Sequence, residues 1–583
     1  MKVLYQGCQT VNWIEALFMS NKVKFTSSLK PIREIVDQVI VAVLLGIITA
    51  IVANGFVEGV RWAVKEHPID GIFNITIGDI SLSYKVFVTM GLAGLLILLI
   101  RKLLNISEWA GPAESIYAVQ QYKETLDIRR GLGSTVVAFV AAGGGASVGQ
   151  YGPLVHFGAT IAVILRNLSK ISISQNIVIA CGVAGAISAG FHAPIAGVVF
   201  AHEALLRKFS VGAIAPISVT AIVAYATNQY FFQTELTFFV PTIPIDLNAL
   251  IPFLLLSAPI CCLVVISYMH VLRQTKHLVG ASKWSFKHQL LGCIVVAGII
   301  GMVLPDVLGL GISQINQMIN NEFTISYLFM LLMGKIIMTA LCINTGFFGG
   351  IFGPALFIGA ATGGIVAYAS VTVGLSPEMS HSLSVAVMAA VGAAVIGAPL
   401  TVIIIVIELT GSYAYGLSAM LCVILCSTLT LRLFGLSYFD RQLLDLGIDM
   451  RIGQEHIALL QINVTEIRSS SYIIVEPHTS IAETQERMQT ANLHEAYVCN
   501  EENVLLGKVS MYDLAQTMSL DAAMDSHPLY FITTDSLVDA MKKITTFTGE
   551  TIPIVSQGRL INAISEGDLF HKILEVQERI RTH

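Results

Sequence analysis

The chain has 583 residues, of which 54% are apolar and 13% charged, against roughly 25% charged in an ordinary soluble domain. That balance excludes a plain soluble globular protein and reads as an integral membrane protein. The formal net charge of −5 is small for this length and says nothing about the sign of a substrate.

Residues 1–34 read as a cytoplasmic N-terminal segment, because Lys22, Lys24, Lys30 and Arg33 put an excess of basic charge ahead of the first apolar run. Met1 to Asn21 carries Gln9, Asn12 and Glu15 where a signal peptide would have its apolar core, so the first span is expected to anchor the protein uncleaved. Val39 to Val57 is that span, long enough at about 1.5 Å per residue to cross a hydrocarbon core of about 30 Å. Val86 to Ile100 and Leu328 to Ile343 are shorter, which suits tilted and broken helices. More helical segments than full crossings are therefore expected.

Gly149-Gln150-Tyr151-Gly152-Pro153, followed by Gly158-Ala159, returns 201 residues later as Gly350-Ile351-Phe352-Gly353-Pro354 with Gly359-Ala360. Ala193-Pro194 has Glu203 nine residues past its proline, and Ala398-Pro399 has Glu408 at the same distance. Duplicated halves whose apolar segments are broken by Gly and Pro point to a transport site near the midplane. At such breaks, helix N-termini offer N–H groups and partial positive charge to an anion. Glycine lets the backbone come close, and proline fits the first turn. A simple kink in a packed helix is the alternative for either motif alone. Lys335, inside an apolar run, is costly in a membrane and so points to function; facing a wet vestibule it would concentrate anions, and paired with Glu203 or Glu408 it would be structural. The nine cysteines show no metal spacing, and Cys261-Cys262 is read as small apolar packing.

Hydropathy drops after about residue 445, where short strand patterns (Tyr472 to Val475, Ala496 to Cys499, Ile552 to Val555) alternate with amphipathic stretches (Ile481 to Ala491, Leu537 to Thr546). This is a soluble α/β pattern. It too is repeated: Ser510 and Asp513 after one strand match Ser565 and Asp568 after another. Each pair is placed to cap a helix start.

These ordered motifs resemble two known families. The tail resembles a tandem pair of CBS domains, and residues 35–445 resemble the CLC family of chloride channels and chloride/proton antiporters. The division expected is 35–445 membrane domain, 446–462 linker, 463–518 first CBS repeat and 519–583 second. The resemblance implies an all-α polytopic membrane fold with inverted-repeat broken helices plus a cytoplasmic α/β tandem CBS domain. It further implies a homodimer with one anion pathway per subunit and both termini cytoplasmic, in the plasma (inner) membrane. Chloride is the implied substrate. No cofactor, metal or nucleic acid is required, and the protein is read as a transporter or channel rather than an enzyme.

By the same resemblance the anion meets Gly149, Gln150, Tyr151 and Gly152 from one repeat, and Gly350, Ile351 and Phe352 from the other. Tyr438 matches the tyrosine that reaches it from the last membrane helix. The family's Gly-Ser-Gly-Ile-Pro-Glu reads Trp109-Ala110-Gly111-Pro112-Ala113-Glu114 here; a hydroxyl is lost at Ala110, and the amides of Ala110 and Gly111 remain as candidate ligands. Lys335 matches a basic residue of the cytoplasmic vestibule. Ser510, Asp513, Ser565 and Asp568 match positions that hold adenine nucleotides in many CBS pairs, with a purely structural tail as the alternative.

Two family carboxylates are missing. Tyr151 stands at the gate position where antiporters carry a proton-bearing glutamate, and Ala204 stands at the inner proton-site position. A phenol with an ordinary pKa near 10 stays neutral at working pH. The reading is passive, proton-uncoupled chloride conduction by a channel or uniporter, with Tyr151 as a neutral plug or a hydroxyl donor. The alternative is a chloride/proton antiporter with an atypical proton path. His202, next to Glu203, is read as a packing residue.

Overall fold

The computed structural model describes residues 29–65, 74–77, 80–121, 126–169, 173–232, 238, 240–241 and 244–582. The stretch from Met1 to Asn21, with Lys22 and Lys24, lies outside them. A helical unit runs to Gln442 and an α/β unit from Leu443 onward.

The helical unit begins with α1 (Leu29–Val64), the hairpin β1 (Asn74–Ile77) and β2 (Ile80–Ser83), α2 (Lys85–Leu104) and α3 (Pro112–Gln120). It continues through α4 (Ile128–Gly143), α5 (Tyr151–Ser169), α6 (Gln175–Phe191), α7 (Pro194–Phe200, extended by a π turn, Ala201–Leu206) and α8 (Val211–Phe231). The second run is α9 (Leu247–Ala281), α10 (Phe286–Val303), α11 (Ile312–Ile319), α12 (Ile325–Thr345), α13 (Phe352–Thr372), α14 (Pro377–Ile396), α15 (Pro399–Thr410) and α16 (Tyr413–Leu433), closed by α17 (Tyr438–Asp445). Packing repeats with the lengths: α5 lies on α6 as α13 lies on α14, and α1 on α8 as α9 on α16. The duplication read from two motifs thus extends to whole eight-helix halves.

Nine of the described helices are long and apolar enough to cross a membrane, and Val39 to Val57 lies inside one of them, α1. Two expectations of length change. Helices α2 and α12 run 20 and 21 residues. Arg101 and Lys102 fall in the last turn of α2, where cations suit the helix dipole, so they do not end the span early. The real breaks are α7 and α15, of 7 and 12 residues, each opened by a proline in its first turn. Close packing follows from small residues: a Cβ on Gly158 would lie 2.4 Å from the Gly182 carbonyl, and one on Gly363 would lie 2.6 Å from that of Ser384.

In the tail, β3 (Ile474–Val475), β4 (Glu495–Cys499) and β5 (Leu505–Ser510) form one three-stranded sheet. β6 (Phe531–Ile532), β7 (Ile552–Ser556) and β8 (Arg559–Ile564) form a second. In both, the first pair is parallel and the second antiparallel. Their hairpins meet reciprocally: the Leu505 amide donates to Gly558 at 3.0 Å, and the Leu560 amide to Asn503 at 2.8 Å. Residues 446–462, expected as a linker, are partly core. Ala458, Leu459 and Ile462 pack with Phe531, Leu537 and Ile554 of the second repeat, because the helix Gln454–Gln461 brings its apolar residues into the core of that sheet.

Candidate anion pathway

The two glycine motifs meet directly. The Gly149 amide donates to the Gly350 carbonyl at 2.7 Å, and the Gly350 amide returns the bond to Gly149 at 2.6 Å. The starts of α5 and α13 are thereby pinned to each other about a local two-fold relation. A second reciprocal pair fixes α7 and α15. The Glu203 carboxylate accepts from the amides of Leu400 and Thr401, at 2.9 and 2.8 Å, and from the Thr401 hydroxyl. The Glu408 carboxylate accepts from the amides of Ile195 and Ala196, at 2.9 and 2.8 Å. Each acid caps the first turn of the other half's broken helix, where its charge suits the dipole. Glu203→Ala is expected to destabilise the protein by about 2–5 kcal/mol, since it orphans three donors that meet an ionised acceptor. An unchanged melting temperature in detergent would contradict that role.

Three cavities follow one another along this core. The first, about 10 Å³, is lined by Gly149, Gln150, Tyr151, Phe238, Leu356 and neighbours. The central one, about 30 Å³, is lined by Pro112, Tyr151, Phe191, Phe352, Ile396, Thr401, Phe439 and neighbours. The third, about 100 Å³ and polar, is lined by Glu203, Ala204, Arg207, Ile396, Ser437, Phe439 and Asp440, with Ile116 and Gly397. On this measure one water needs about 10–15 Å³, so the first two hold small occupants only. Tyr151 is shared by the first and second cavities; Ile396 and Phe439 are shared by the second and third.

Tyr151 is 6% exposed, and its ring stacks on Phe191 at 3.7 Å between centroids. Phe352 meets both rings edge-on, at 6.3 and 5.7 Å. The aromatic cluster therefore stands between two cavities. None of the residues lining the central cavity is charged, so an anion there depends on backbone dipoles. Among the described residues the amides of Ile351 and Phe352, at the start of α13, have no backbone acceptor, and Phe352 itself lines this cavity.

Several expected ligands are otherwise engaged. The Ala110 amide donates to Ser134 Oγ at 2.7 Å, and the Gly111 amide donates to the Glu114 carboxylate, which Arg130 also holds at 3.0 Å. With their N–H groups satisfied inside the protein, Ala110 and Gly111 shape the loop rather than bind. Gly149 and Gly350 spend their amides on each other. Tyr438 is half-buried and is not among the residues lining these three cavities, whereas the next residue, Phe439, lines two. Successive residues on a helix point about 100° apart, and α17 puts Phe439 inward.

Lys335 does not face a vestibule. It is fully buried, its ammonium donates to the carbonyls of Val307 and Gly309 at 3.1 and 2.8 Å, and it lies 4.6 Å from the Phe357 ring centre. It is not paired with Glu203 or Glu408 either, since both acids cap helices. Those carbonyls flank the turn after α10, so Lys335 ties that turn to α12. His202 stacks on Phe209 at 5.2 Å between ring centres and lines none of the three cavities. Sequence reading missed Phe191, Thr401, Arg207, Phe439 and Asp440; none belongs to a repeated motif.

In the tail both Ser/Asp pairs cap. Ser510 Oγ accepts from the Asp513 amide at 3.2 Å, and Ser565 Oγ from the Asp568 amide at 3.1 Å. Burial pushes the Asp568 carboxyl up, but hydrogen bonds from Ser470 and Ser565 outweigh it and hold the group below the usual carboxylate range. Asp568 is thus ionised and largely satisfied, while Asp513 is exposed with Ser510 beside it.

A fold of two halves with reciprocally crossed, broken helices around a chain of small cavities belongs to polytopic membrane proteins of the transporter and channel class. The sequence profile described as voltage gated chloride channel matches residues 92–431, more than half of the chain, and the CBS domain profile matches residues 464–520. The chain belongs to the voltage gated chloride channel (CLC) family and carries C-terminal CBS domains. Among curated relatives, the H(+)/Cl(-) exchange transporter ClcA of Vibrio vulnificus is 29% identical over 304 residues, 49% of this chain and 65% of that protein. The ClcA of Vibrio cholerae is 31% identical over 288 residues, 47% and 60% respectively. The match spans less than two thirds of these relatives. Among solved structures, a slow cyanobacterial Cl-/H+ antiporter aligns with TM-score 0.62 at 20% identity, covering 70% of this chain and 97% of its own. A eukaryotic CLC transporter aligns with TM-score 0.58 at 16% identity, covering 92% and 98%. At those identities the likeness is one of fold.

Proposed function

We propose that the protein moves chloride or a similar small anion through the three cavities, without obligatory exchange for protons, as a channel or uniporter. The observation that carries this reading is the junction at Tyr151. A neutral ring fills the place between the first two cavities, no acid lines the central one, and Ala204 lines the third. An anion in an apolar cavity is costly unless dipoles replace its water; the amides of Ile351 and Phe352, which have no backbone acceptor among the described residues, are the groups proposed to do so. Proton exchange is the second reading, favoured by the names of the curated relatives. It requires a route that uses neither position 151 nor 204, and the acids nearest such a route are Glu203 and Asp440 of the third cavity. The functional unit is proposed to be a homodimer with one pathway per subunit, in the plasma (inner) membrane, with both termini cytoplasmic.

Tyr151→Glu separates the readings. In liposomes carrying the full chain, an acid at that junction competes with the anion, so chloride efflux slows and no full proton exchange appears. Tight coupling created by this single change would show that the rest of a proton route is intact, and would favour the exchange reading.

The tail is proposed to bind an adenine nucleotide near Ser510/Asp513, the exposed pair, rather than near the satisfied Asp568. A tail segment from about residue 446 should then gain stability with ATP or AMP, by about 2.7 kcal/mol at 100 times the dissociation constant. Asp513→Ala should remove the gain. A folded segment that millimolar nucleotide leaves unshifted would favour a structural tail.

A further inference from the structure

We propose that Arg207 and Asp440 form an anion-displaceable ion pair at the mouth of the third cavity, where a halide entering the pathway takes Asp440's place on the guanidinium. This deepens the transport reading and rests on it. Arg207 is the one base among the residues lining the three cavities. It follows the π turn in a left-handed conformation, φ 55°. There its guanidinium meets the Asp440 carboxylate, with side chains 30% and 21% exposed. The pair is thus wet enough to exchange partners and enclosed enough to matter.

Charge gives the reason for a switch. The lining of this cavity holds two acids, Glu203 and Asp440, against Arg207. Glu203 is spoken for by the start of α15, so Asp440 alone decides whether Arg207 presents a positive charge. With the pair closed, the mouth offers an anion nothing. Once Asp440 yields, the cation faces a polar cavity of about 100 Å³ that shares Phe439 and Ile396 with the central cavity. Asp440 keeps a second partner when it lets go: Ser437 Oγ donates to its other oxygen at 3.0 Å. A carboxylate held at the mouth would then compete with the anion, a role this chain lacks at position 151.

The test uses the full-length protein in liposomes, with chloride as the probe, and two readouts: the chloride concentration for half-maximal flux, and the chloride dependence of melting in detergent. Asp440→Asn should lower the half-saturating chloride by roughly two- to five-fold, the worth of a partly exposed ion pair. Arg207→Gln should raise it, and Asp440→Asn should have no effect in that background, because the two act as one unit. If Arg207→Gln fails to fold, Arg207→Lys, which keeps the charge, should preserve the Asp440→Asn effect. The proposal is overturned if Asp440→Asn leaves half-saturation unchanged, or lowers it equally with and without Arg207. Chloride-dependent melting that responds to both variants in a protein that moves no chloride would uphold the site and sink only the transport reading.

Discussion

Gly350→Val is expected to cut anion flux by about tenfold to a hundredfold and to destabilise the protein by about 1–3 kcal/mol. A Cβ there would lie 2.7 Å from the Gly152 amide nitrogen, 3.1 Å from its Cα and 3.2 Å from the Gly149 carbonyl oxygen. All three are backbone atoms of the opposite half, so no side chain can rotate away. The start of α5 would have to move, breaking the two hydrogen bonds that join the halves and shifting Tyr151 off Phe191. Flux and melting are measured together. Gly55→Ala is the control: a Cβ at Gly55 meets nothing within 4 Å, and helix propensity there favours alanine. Equal behaviour of the two variants would remove the crossing from the account.

Tyr151→Ala is expected to act in the opposite direction, speeding chloride efflux by about twofold to tenfold. The ring is the shared wall of the first two cavities, and each passage must part it from Phe191 and Phe352. Aromatic contacts of this kind are worth about 0.5–1.5 kcal/mol, which sets the range in rate. Tyr151→Phe keeps the ring and loses only the hydroxyl, so it distinguishes plug from ligand. A plug leaves efflux in Tyr151→Phe near the native rate; a hydroxyl ligand makes that variant slower. Slower efflux in Tyr151→Ala, with melting intact, would contradict the plug.

What the sequence made legible is what it repeats. The Gly-Pro motifs became the crossing of α5 and α13, and the acids nine residues beyond each proline became the reciprocal caps of α7 and α15. The chemistry of those acids was not legible, because their partners lie in the other half. Phe439 was not legible beside Tyr438, because an eight-residue helix with adjacent aromatics carries no periodicity to fix its facing side. Lys335 looked functional because a charge in an apolar run costs energy; the carbonyls that repay it belong to a distant turn. Arg207 escaped notice because a single left-handed residue after a π turn has no sequence signature. Ala458 and Ile462 read as linker, since a short helix needs a tertiary partner to become core.

The most direct measurement is of protons in sealed liposomes carrying the full chain, with a chloride gradient as the only driving force and the voltage held by an independent potassium conductance. Chloride transport through Tyr151 and past Ala204 should proceed with no uphill proton movement, and a pH gradient should not shift the reversal potential. Reproducible proton pumping driven by chloride, abolished when the chloride gradient is removed, would contradict the account and give the protein to the exchangers.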